Sequence, residues 1–476
     1  MFAHMTHMCG FPTPTGPCRR PVASGNGCGV DHLAAAVPPV TVQAPAAGLM
    51  PPDPFAVPGA SAFARPVPSA GRTVVRFDDE PGFGAVVEAF ESAGVDLYVV
   101  GGAVRDRLRG VAHNDMDLTT PARPEEVRGI VERLGRVYDT GIEYGTVGVA
   151  VDGKVFEITT FRSEVYTPGD RRPDVDYDTG LEGDLARRDF TINAVAAHAA
   201  TGEVIDPQNG VGDLRAGVLR CCGDDPDRRF AEDPLRVARL WRHAVMLDVA
   251  IDSDPDTFAA ARGHIDGLDR MARERRTTEV RKALSCEAPD ALETAARAAG
   301  RLGADRSLFG GLDVDAVRQP WVDAGDTAPS ARLATLAYAT GPDLAAADRA
   351  LRDLKFSNWE REFAVTAAAA ARDAEGAYTA AQVRSIARRF DDDHLDAARS
   401  VAVTFRRTWP AAGLLGSADV LAQGRRRLPV DGADATGLGL AGPAVGAALS
   451  DVEAHLLEEP ALDRAAAIAI LRSHTD

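Results

Sequence analysis

The sequence predicts an α+β domain followed by a long all-helical region. Between residues 97 and 215, short β-branched runs alternate with helical stretches and turns, which is the pattern of a small sheet with helices. From about residue 225 onward there is no convincing strand, and alanine-rich segments carry apolar residues at helical spacing. Prolines divide these segments where helices are expected to begin or end.

Composition and charge limit the class of protein. The chain has 476 residues, 45% of them hydrophobic and 26% charged, with a formal net charge of −17. At roughly 100–200 residues per domain, this predicts about three domains of an ordinary soluble protein. No apolar run reaches the roughly 20 residues of a membrane helix and the N-terminus lacks a signal-peptide pattern, so we predict a cytoplasmic protein. The acidic balance argues against indiscriminate nucleic-acid binding but allows a local basic groove.

The N-terminal segments differ in composition from the rest of the chain. Residues 1–35 are predicted to form a small zinc-binding module, because three thiolates and one imidazole suit tetrahedral Zn²⁺. The candidate ligands are Cys9, Cys18, Cys28 and His32. Their wide spacing is not that of a standard knuckle, and a disordered extension or a downstream translation start is the alternative. Residues 36–72, rich in proline and alanine, are predicted to be a linker. The remaining cysteines are predicted to be structural thiols: Cys221, Cys222 and Cys286.

A glycine pair and a carboxylate pair follow the first predicted strand, residues 97–100. Gly101 and Gly102 would let a phosphate approach the backbone, and the next helix offers free N–H groups. A Gly-Gly turn alone is weak evidence. Asp115 and Asp117 strengthen it, since alternate residues of a strand face the same side and these two would reach one divalent cation.

A further acidic position lies on a predicted hairpin. Residues 146–151 and 154–159 flank Asp152 and Gly153, a strong signal for a two-residue turn. The second strand carries Glu157, which is a candidate third carboxylate if this strand lies beside the aspartate pair. On its own, a polar residue in a strand is more often a surface residue.

Two charged stretches follow. Residues 184–194 read Asp-Leu-Ala-Arg-Arg-Asp-Phe-Thr-Ile-Asn-Ala, and residues 231–242 read Ala-Glu-Asp-Pro-Leu-Arg-Val-Ala-Arg-Leu-Trp-Arg. From their spacing, Asp233, Arg236 and Arg239 are predicted to share one helix face. The alternative is a solvated helix crossed by salt bridges.

These motifs, in this order, resemble those of class II tRNA nucleotidyltransferases. This family comprises the bacterial-type CCA-adding enzymes, whose head is shared with bacterial poly(A) polymerases. The resemblance covers roughly residues 90–476, and the stretches 428–432 and 441–446 resemble the tail of CCA-adding members. It implies a head like that of DNA polymerase beta, then a helical neck, body and tail. We place these four parts at residues 73–217, 218–290, 291–405 and 406–476, with the tail contacting tRNA.

The resemblance also implies the reaction. CTP and ATP would be added to the tRNA 3′ end with release of pyrophosphate, Asp115 and Asp117 binding two Mg²⁺ ions and Glu157 supplying a third carboxylate. The implied nucleotide-binding residues are Gly101, Gly102, Arg105, Asp106, Arg188, Asp189, Asn193, Asp233, Arg236, Arg239 and Arg242.

The choice of base has a physical logic. A carboxylate accepts a hydrogen bond from the exocyclic amino group that cytosine and adenine both carry, and an arginine donates to the ring acceptor beside it. Guanine and uracil place a carbonyl where that amino group would be. Asp233 and Arg236 are therefore expected to accept C and A and to reject G and U.

Other functions stay open at this level. A poly(A) polymerase or an enzyme that adds only CC or only A would use the same chemistry. A catalytically silent RNA-binding relative is disfavoured by the aspartate pair, and a zinc-dependent interaction protein would rest on the N-terminal segment alone. Departures from the family pattern at Tyr144, Gln208 and Gly212 affect loop details and nucleotide switching, not the metal ligands. We find no His-Asp dipeptide of the phosphohydrolase domain fused to some relatives.

Overall fold

The computed structural model describes most of the chain from residue 73 onward. The described residues are 73–113, 115–139, 141–142, 145–165, 174–286, 288, 290–317, 328–375, 377, 379–404 and 417–475, with the backbone of 12–13 and 16–17. They divide into two compact units. The first unit comprises the described residues within Met1–Glu164, Val175–Ala186 and Ile192–Val211, and the second comprises those within Val165–Asp174, Arg187–Thr191 and Gly212–Asp476. The finer division into head, neck, body and tail stays a prediction.

A mixed sheet of seven strands forms the centre of the first unit, and two further strands form a separate pair. The strands in chain order are β1 (Tyr98–Val100), β2 (Asp117–Thr120), β3 (Arg136–Tyr138), β4 (Thr146–Val151), β5 (Lys154–Thr160), β6 (Ser163–Val165), β7 (Asp174–Asp176), β8 (Ala196–His198) and β9 (Val204–Ile205). The sheet order is β9-β8-β1-β2-β5-β4-β3, while β6 and β7 form a separate pair. Only β2 and β5 run parallel among the paired strands of this sheet in the described ranges. Two strands distant in sequence therefore lie side by side at its centre.

The hairpin of β4 and β5 forms where the sequence predicts it. Asp152 and Gly153 both have positive φ, 49° and 80°, which suits a two-residue turn whose twist matches that of the strands. Alternation along β5 then buries Phe156 and Ile158 and leaves Glu157 exposed between them. The helices of this unit are α1 (Phe83–Ala93), α2 (Gly102–Arg109), α3 (Pro124–Val131) and α4 (Leu181–Ala186).

Every regular element from residue 226 onward is helical in the described part of the chain, as predicted. After α5 (Gly210–Ala216), the helices are α6 (Pro226–Glu232), α7 (Leu235–Leu247), α8 (Pro255–Gly263), α9 (Ile265–Asp269), α10 (Arg273–Leu284), α11 (Ala291–Leu302), α12 (Asp305–Phe309), α13 (Pro329–Ala339), α14 (Leu344–Asp353), α15 (Asn358–Glu375), α16 (Ala380–Arg389), α17 (Asp392–Thr404), α18 (Ala418–Gly424), α19 (Gly432–Gly437), α20 (Pro443–Glu458) and α21 (Arg464–Ser473). None of the helices in these ranges is long and apolar enough to cross a membrane.

Local signals explain where several of these helices begin. Pro226 and Pro255 occupy the first helical position, where the missing N–H is not needed. The aspartate before each one caps the helix: Asp225 accepts a hydrogen bond from the Arg228 N–H, and Asp254 accepts one from Thr257. Proline thus marks helix starts at these two positions, as the sequence predicts.

The C-terminal helices bury a hydrophobic cluster of their own. Its members are Val430, Ala435, Leu440, Ala448, Val452, Leu456, Leu462, Ala467 and Leu471. The cluster falls within the predicted tail, residues 406–476, whose described part begins at residue 417.

Candidate active site

Three carboxylates gather at the β2–β5 contact of the first unit. Asp117 is the first residue of β2 and pairs directly with Glu157 of β5 in parallel register. Asp115 lies two residues before the strand begins. The prediction that Asp115 and Asp117 occupy alternate positions of one strand is therefore wrong for Asp115, because regular pairing starts only at Asp117. All three residues are exposed.

The two aspartates also affect the electrostatics of Glu157. Partial burial raises the pKa of the Glu157 carboxyl above its usual range, and the negative charges of Asp117 and Asp115 raise it further. Like charges in proximity disfavour ionisation, so this corner of the sheet favours a bound cation or a proton. The sequence signal for Glu157 was weak because the parallel pairing joins positions 40 residues apart.

The donor set fits Mg²⁺ chemically, although the protein alone does not form a closed cage. No group of three or more His, Cys, Asp or Glu side chains in the described residues is arranged to hold an ion. Mg²⁺ is typically bound by one or two carboxylates, with water and substrate phosphates completing its six ligands. Asp115 and Asp117 would provide such a pair, with Glu157 next to Asp117 in the sheet.

The glycine pair begins α2 as predicted, but only one glycine is required by its conformation. Gly101 has a φ of 74° and precedes the first residue of the helix, whereas Gly102 has helical geometry, and a Cβ added there would lie 3.6 Å from Arg105 Nη2, an ordinary contact. The backbone N–H of Gly101 donates to the Val195 carbonyl at 3.2 Å. This bond ties the turn to the segment that carries Asn193.

Three predicted nucleotide ligands are bonded to one another. The Arg105 guanidinium, 5% exposed, donates to both carboxylate oxygens of Asp106 at 2.8 and 2.9 Å. It also donates to the Asn193 side-chain oxygen at 2.7 Å. The structure thus brings Arg105, Asp106 and Asn193 together, and much of the hydrogen-bonding capacity of Arg105 is already used within the protein.

A second charged cluster lies in the second unit, around α7 and α10. Arg239 Nε donates to Asp189 Oδ2 at 2.6 Å, and Arg242 Nε donates to Glu279 Oε2 at 2.5 Å. Asp189 and Glu279 raise the pKa of Arg239 above its usual value, whereas burial lowers that of Arg242. Arg188 belongs to this cluster through its backbone carbonyl, which accepts a hydrogen bond from Arg229 Nη2 at 2.7 Å. No role was predicted for Glu279 from the sequence, although it ends the charged stretch Glu-Arg-Arg-Thr-Thr-Glu at residues 274–279.

Asp233 does not share a helix face with Arg236 and Arg239, contrary to the prediction. α6 ends at Glu232 and α7 begins at Leu235, leaving Asp233 extended between them with φ −140° and ψ 99°. Pro234 explains this break, since a residue before proline is pushed away from helical geometry.

The partners of Asp233 and Arg236 also differ from one another. Asp233 accepts hydrogen bonds from the Leu235 N–H and from Arg275. Arg236 donates to the Arg229 carbonyl at 2.6 Å and to Glu232 at 3.2 Å. The two predicted base-selecting side chains are therefore oriented by separate sets of contacts.

The cysteines fall into two groups. The candidate zinc ligands Cys9, Cys18, Cys28 and His32 lie outside the described residues, so the zinc module stays a prediction. Cys221, Cys222 and Cys286 are free thiols. Burial raises the pKa of Cys221 to about 11 and also raises the pKa values of Cys222 and Cys286. Such thiols are unreactive, which agrees with a structural role.

Comparison with known proteins is most specific for the first half of the globular chain. Residues 97–220 match the family model of the poly A polymerase head domain. The CCA-adding enzyme of Levilactobacillus brevis is 43% identical over 205 residues, which cover 43% of this chain and 50% of the relative. That of Streptococcus pyogenes is 42% identical over 200 residues, covering 42% and 48%. The matched region thus spans about half the length of these curated relatives.

Solved structures extend the similarity over most of the chain. The Bacillus stearothermophilus CCA-adding enzyme in complex with CTP has a TM-score of 0.61 and 28% identity, covering 83% of this chain and 98% of that chain. The Thermotoga maritima CCA-adding enzyme complexed with tRNA shares the fold at 17% identity, with a TM-score of 0.58 over 83% and 95% of the two chains. Residues 97–220 therefore match the poly A polymerase head domain, and the chain is similar in fold to the CCA-adding enzymes.

Proposed function

We propose that this protein is a template-independent RNA nucleotidyltransferase that adds C, C and A to the 3′ end of tRNA from CTP and ATP. The observation that carries the proposal is the placement of Glu157 directly beside Asp117, with Asp115 near enough to raise its pKa, inside a poly A polymerase head domain. The CCA-adding relatives and the structures titled with CTP and with tRNA support this choice of substrates. The proposal includes a cytoplasmic location.

In the head, Asp115 and Asp117 would hold Mg²⁺ with Glu157 beside them. Two such ions, when bound, would lower the pKa of the RNA 3′-hydroxyl and neutralise the departing pyrophosphate. The Gly101 turn and the start of α2 would receive the triphosphate, because glycine has no side chain to block a phosphate and the first N–H groups of a helix have no partner within the helix. The buried Arg105, anchored by Asp106 and Asn193, would fix this turn in place. These bonds use three of its five N–H donors, so two remain to bind the triphosphate or the sugar.

In the second unit, Asp233 and Arg236 would read the base. The Asp233 carboxylate would accept from the amino group of cytosine or adenine, and the Arg236 guanidinium would donate to the ring acceptor beside it. Glu232 and the Arg229 carbonyl restrain Arg236, which favours one orientation of its donors. Arg239, Arg242, Asp189 and Arg188 would support this arrangement through the paired charges around α7.

A poly(A) polymerase is the main alternative, since the family model of the head carries that description. The deciding experiment supplies purified protein and Mg²⁺ with tRNA transcripts that lack the terminal CCA. CTP alone, ATP alone and both nucleotides are then compared. We expect two C residues with CTP, and a single terminal A only after them. Long A tails without C incorporation would overturn the proposal in favour of a poly(A) polymerase, and absence of any extension would favour a silent RNA-binding protein.

A further inference from the structure

Both carboxylate oxygens of Asp233 are held by donors from different elements. Oδ1 accepts from the Leu235 backbone N–H at 3.1 Å, and Oδ2 accepts from Arg275 Nη2 at 3.2 Å. Leu235 begins α7, whereas Arg275 lies in the first turn of α10. The contact with Arg275 thus links Asp233 to a helix that starts 40 residues later in the chain.

The second anchor matters because Asp233 lies outside any helix. Its side chain is 23% exposed, and its backbone is extended between α6 and α7. A bond to the nearby Leu235 N–H alone would fix one oxygen and leave the other free to rotate about the Cβ–Cγ bond. A donor on the second oxygen fixes the plane of the carboxylate.

The helix that carries Arg275 is itself well anchored. Arg276 donates to the Ser307 carbonyl at 2.8 Å and to Asp269 at 3.1 Å. Thr277 donates to the Leu354 carbonyl. The start of α10 is therefore a fixed platform from which the Arg275 guanidinium reaches Asp233.

We infer that Arg275 is a positioning residue for base selection. It acts by orienting the Asp233 carboxylate, and this inference rests on the proposed function. A carboxylate oxygen has two acceptor sites, so the bond to Arg275 leaves one lone pair of Oδ2 for the amino group of cytosine or adenine. With the plane of the carboxylate fixed, that lone pair points in one direction. A uracil or guanine carbonyl in the place of the amino group would then face a negatively charged acceptor, which cannot rotate to relieve the repulsion.

The contact is well suited to orientation and poorly suited to stability. The Arg275 side chain is 51% exposed, and an ion pair between partly exposed side chains adds little to the free energy of folding. Removing Arg275 should therefore change nucleotide choice while leaving the fold intact.

The test compares Arg275→Ala with Arg273→Ala as a matched control. Arg273 lies on the same helix and is equally exposed, but it pairs with Asp353 and not with Asp233. For each variant, kcat and KM are measured for CTP and for UTP on a tRNA transcript lacking CCA. We expect Arg275→Ala to lower the CTP-to-UTP ratio of kcat/KM about tenfold, as loss of one charge-assisted hydrogen bond allows. Arg273→Ala should keep the wild-type ratio, and Arg275→Lys should restore part of it.

A double-mutant cycle separates orientation from a general effect on the site. In an Asp233→Ala background, Arg275→Ala should change the ratio no further, because its target is gone. An Arg275→Ala ratio equal to that of wild type, or an effect that persists in the Asp233→Ala background, would overturn the inference. If the wild-type protein extends tRNA with neither C nor A, the proposed function fails and the inference fails with it.

Discussion

Replacing Glu157 by glutamine should stabilise the first unit while impairing nucleotide addition. The Glu157 pKa is raised by burial and by the charges of Asp117 and Asp115, so the ionised side chain disfavours the folded state. Adjacent strands lie about 4.8 Å apart, and Glu157 is paired directly with Asp117. Two unit charges about 5 Å apart in water repel by about 0.8 kcal/mol, and both side chains are exposed enough for that dielectric to apply. With a smaller contribution from Asp115, we expect a gain of about 1 kcal/mol at pH 7 and low salt.

The dependence on pH has a definite sign. A carboxyl whose folded pKa is raised binds its proton more tightly in the folded state, so its contribution to stability is full below the unfolded pKa and is lost as pH rises through the folded pKa. Wild type and Glu157→Gln should therefore be equally stable at pH values below the ordinary glutamate pKa, about 4.3. The difference in folding stability between the two proteins should increase as pH rises toward neutrality. Mg²⁺ should reduce this stability difference, because a bound cation favours the ionised carboxylate.

The assay must report on the first unit. The tryptophans in the described part of the chain, Trp241 and Trp359, both lie in the second unit. Amide hydrogen exchange of strand β5 measures the opening free energy directly where the change is made. Glu88→Gln, at an exposed position of α1, is the control and should change that free energy by less than about 0.5 kcal/mol. If Glu157→Gln proved equal to or less stable than wild type at pH 7 without metal, the assignment of a repulsive carboxylate cluster would be refuted.

Three further predictions concern other parts of the chain. Glu279→Ala should lower the free energy of unfolding of the second unit by about 3 kcal/mol, since it leaves the buried guanidinium of Arg242 without its carboxylate. Urea titration followed by tryptophan fluorescence measures this free energy, and a loss below about 1 kcal/mol would contradict the prediction. Cys221 and Cys222 should resist alkylation in the native protein at pH 8 and react on unfolding, because burial raises their pKa values. Mass spectrometry measures the labelling, and alkylation of either thiol in the native protein would contradict the prediction. The purified full chain should contain one zinc ion that is absent after deletion of residues 1–35, whereas equal zinc in the two proteins, or none in either, would end the zinc hypothesis.

Local signals in the sequence predicted the parts of the fold that depend on local chemistry. The hairpin follows from Asp152 and Gly153, which tolerate positive φ, and two helix starts follow from Asp-Pro pairs. The misplaced Asp233 shows one local rule overriding another. Helical spacing suggested a shared face, but the constraint that Pro234 puts on the preceding residue ends the helix first.

The candidate site was less predictable because its contacts join residues far apart in the chain. Arg105 bonds Asn193 across 88 positions, and Arg242 bonds Glu279 across 37. Periodicity gives the face on which such a side chain lies, but not the partner that tertiary packing brings to it. The sequence therefore indicated the types of residue at the site, while the structure shows how far each one is already engaged within the protein.

The charged groups around α7 and those at the β2–β5 contact are arranged in opposite ways, and this difference bears on where a cation is needed. Around α7, each anchoring carboxylate faces an arginine: Asp189 with Arg239, Glu279 with Arg242, and Glu232 with Arg236. At the β2–β5 contact, by contrast, the group nearest to Glu157 in register is another carboxylate. Paired charges hold donors and acceptors in fixed directions, which suits the reading of a base, whereas clustered like charges favour a cation. On the proposed function, the demand for Mg²⁺ therefore arises in the first unit, and base selection in the second should depend on side-chain geometry alone.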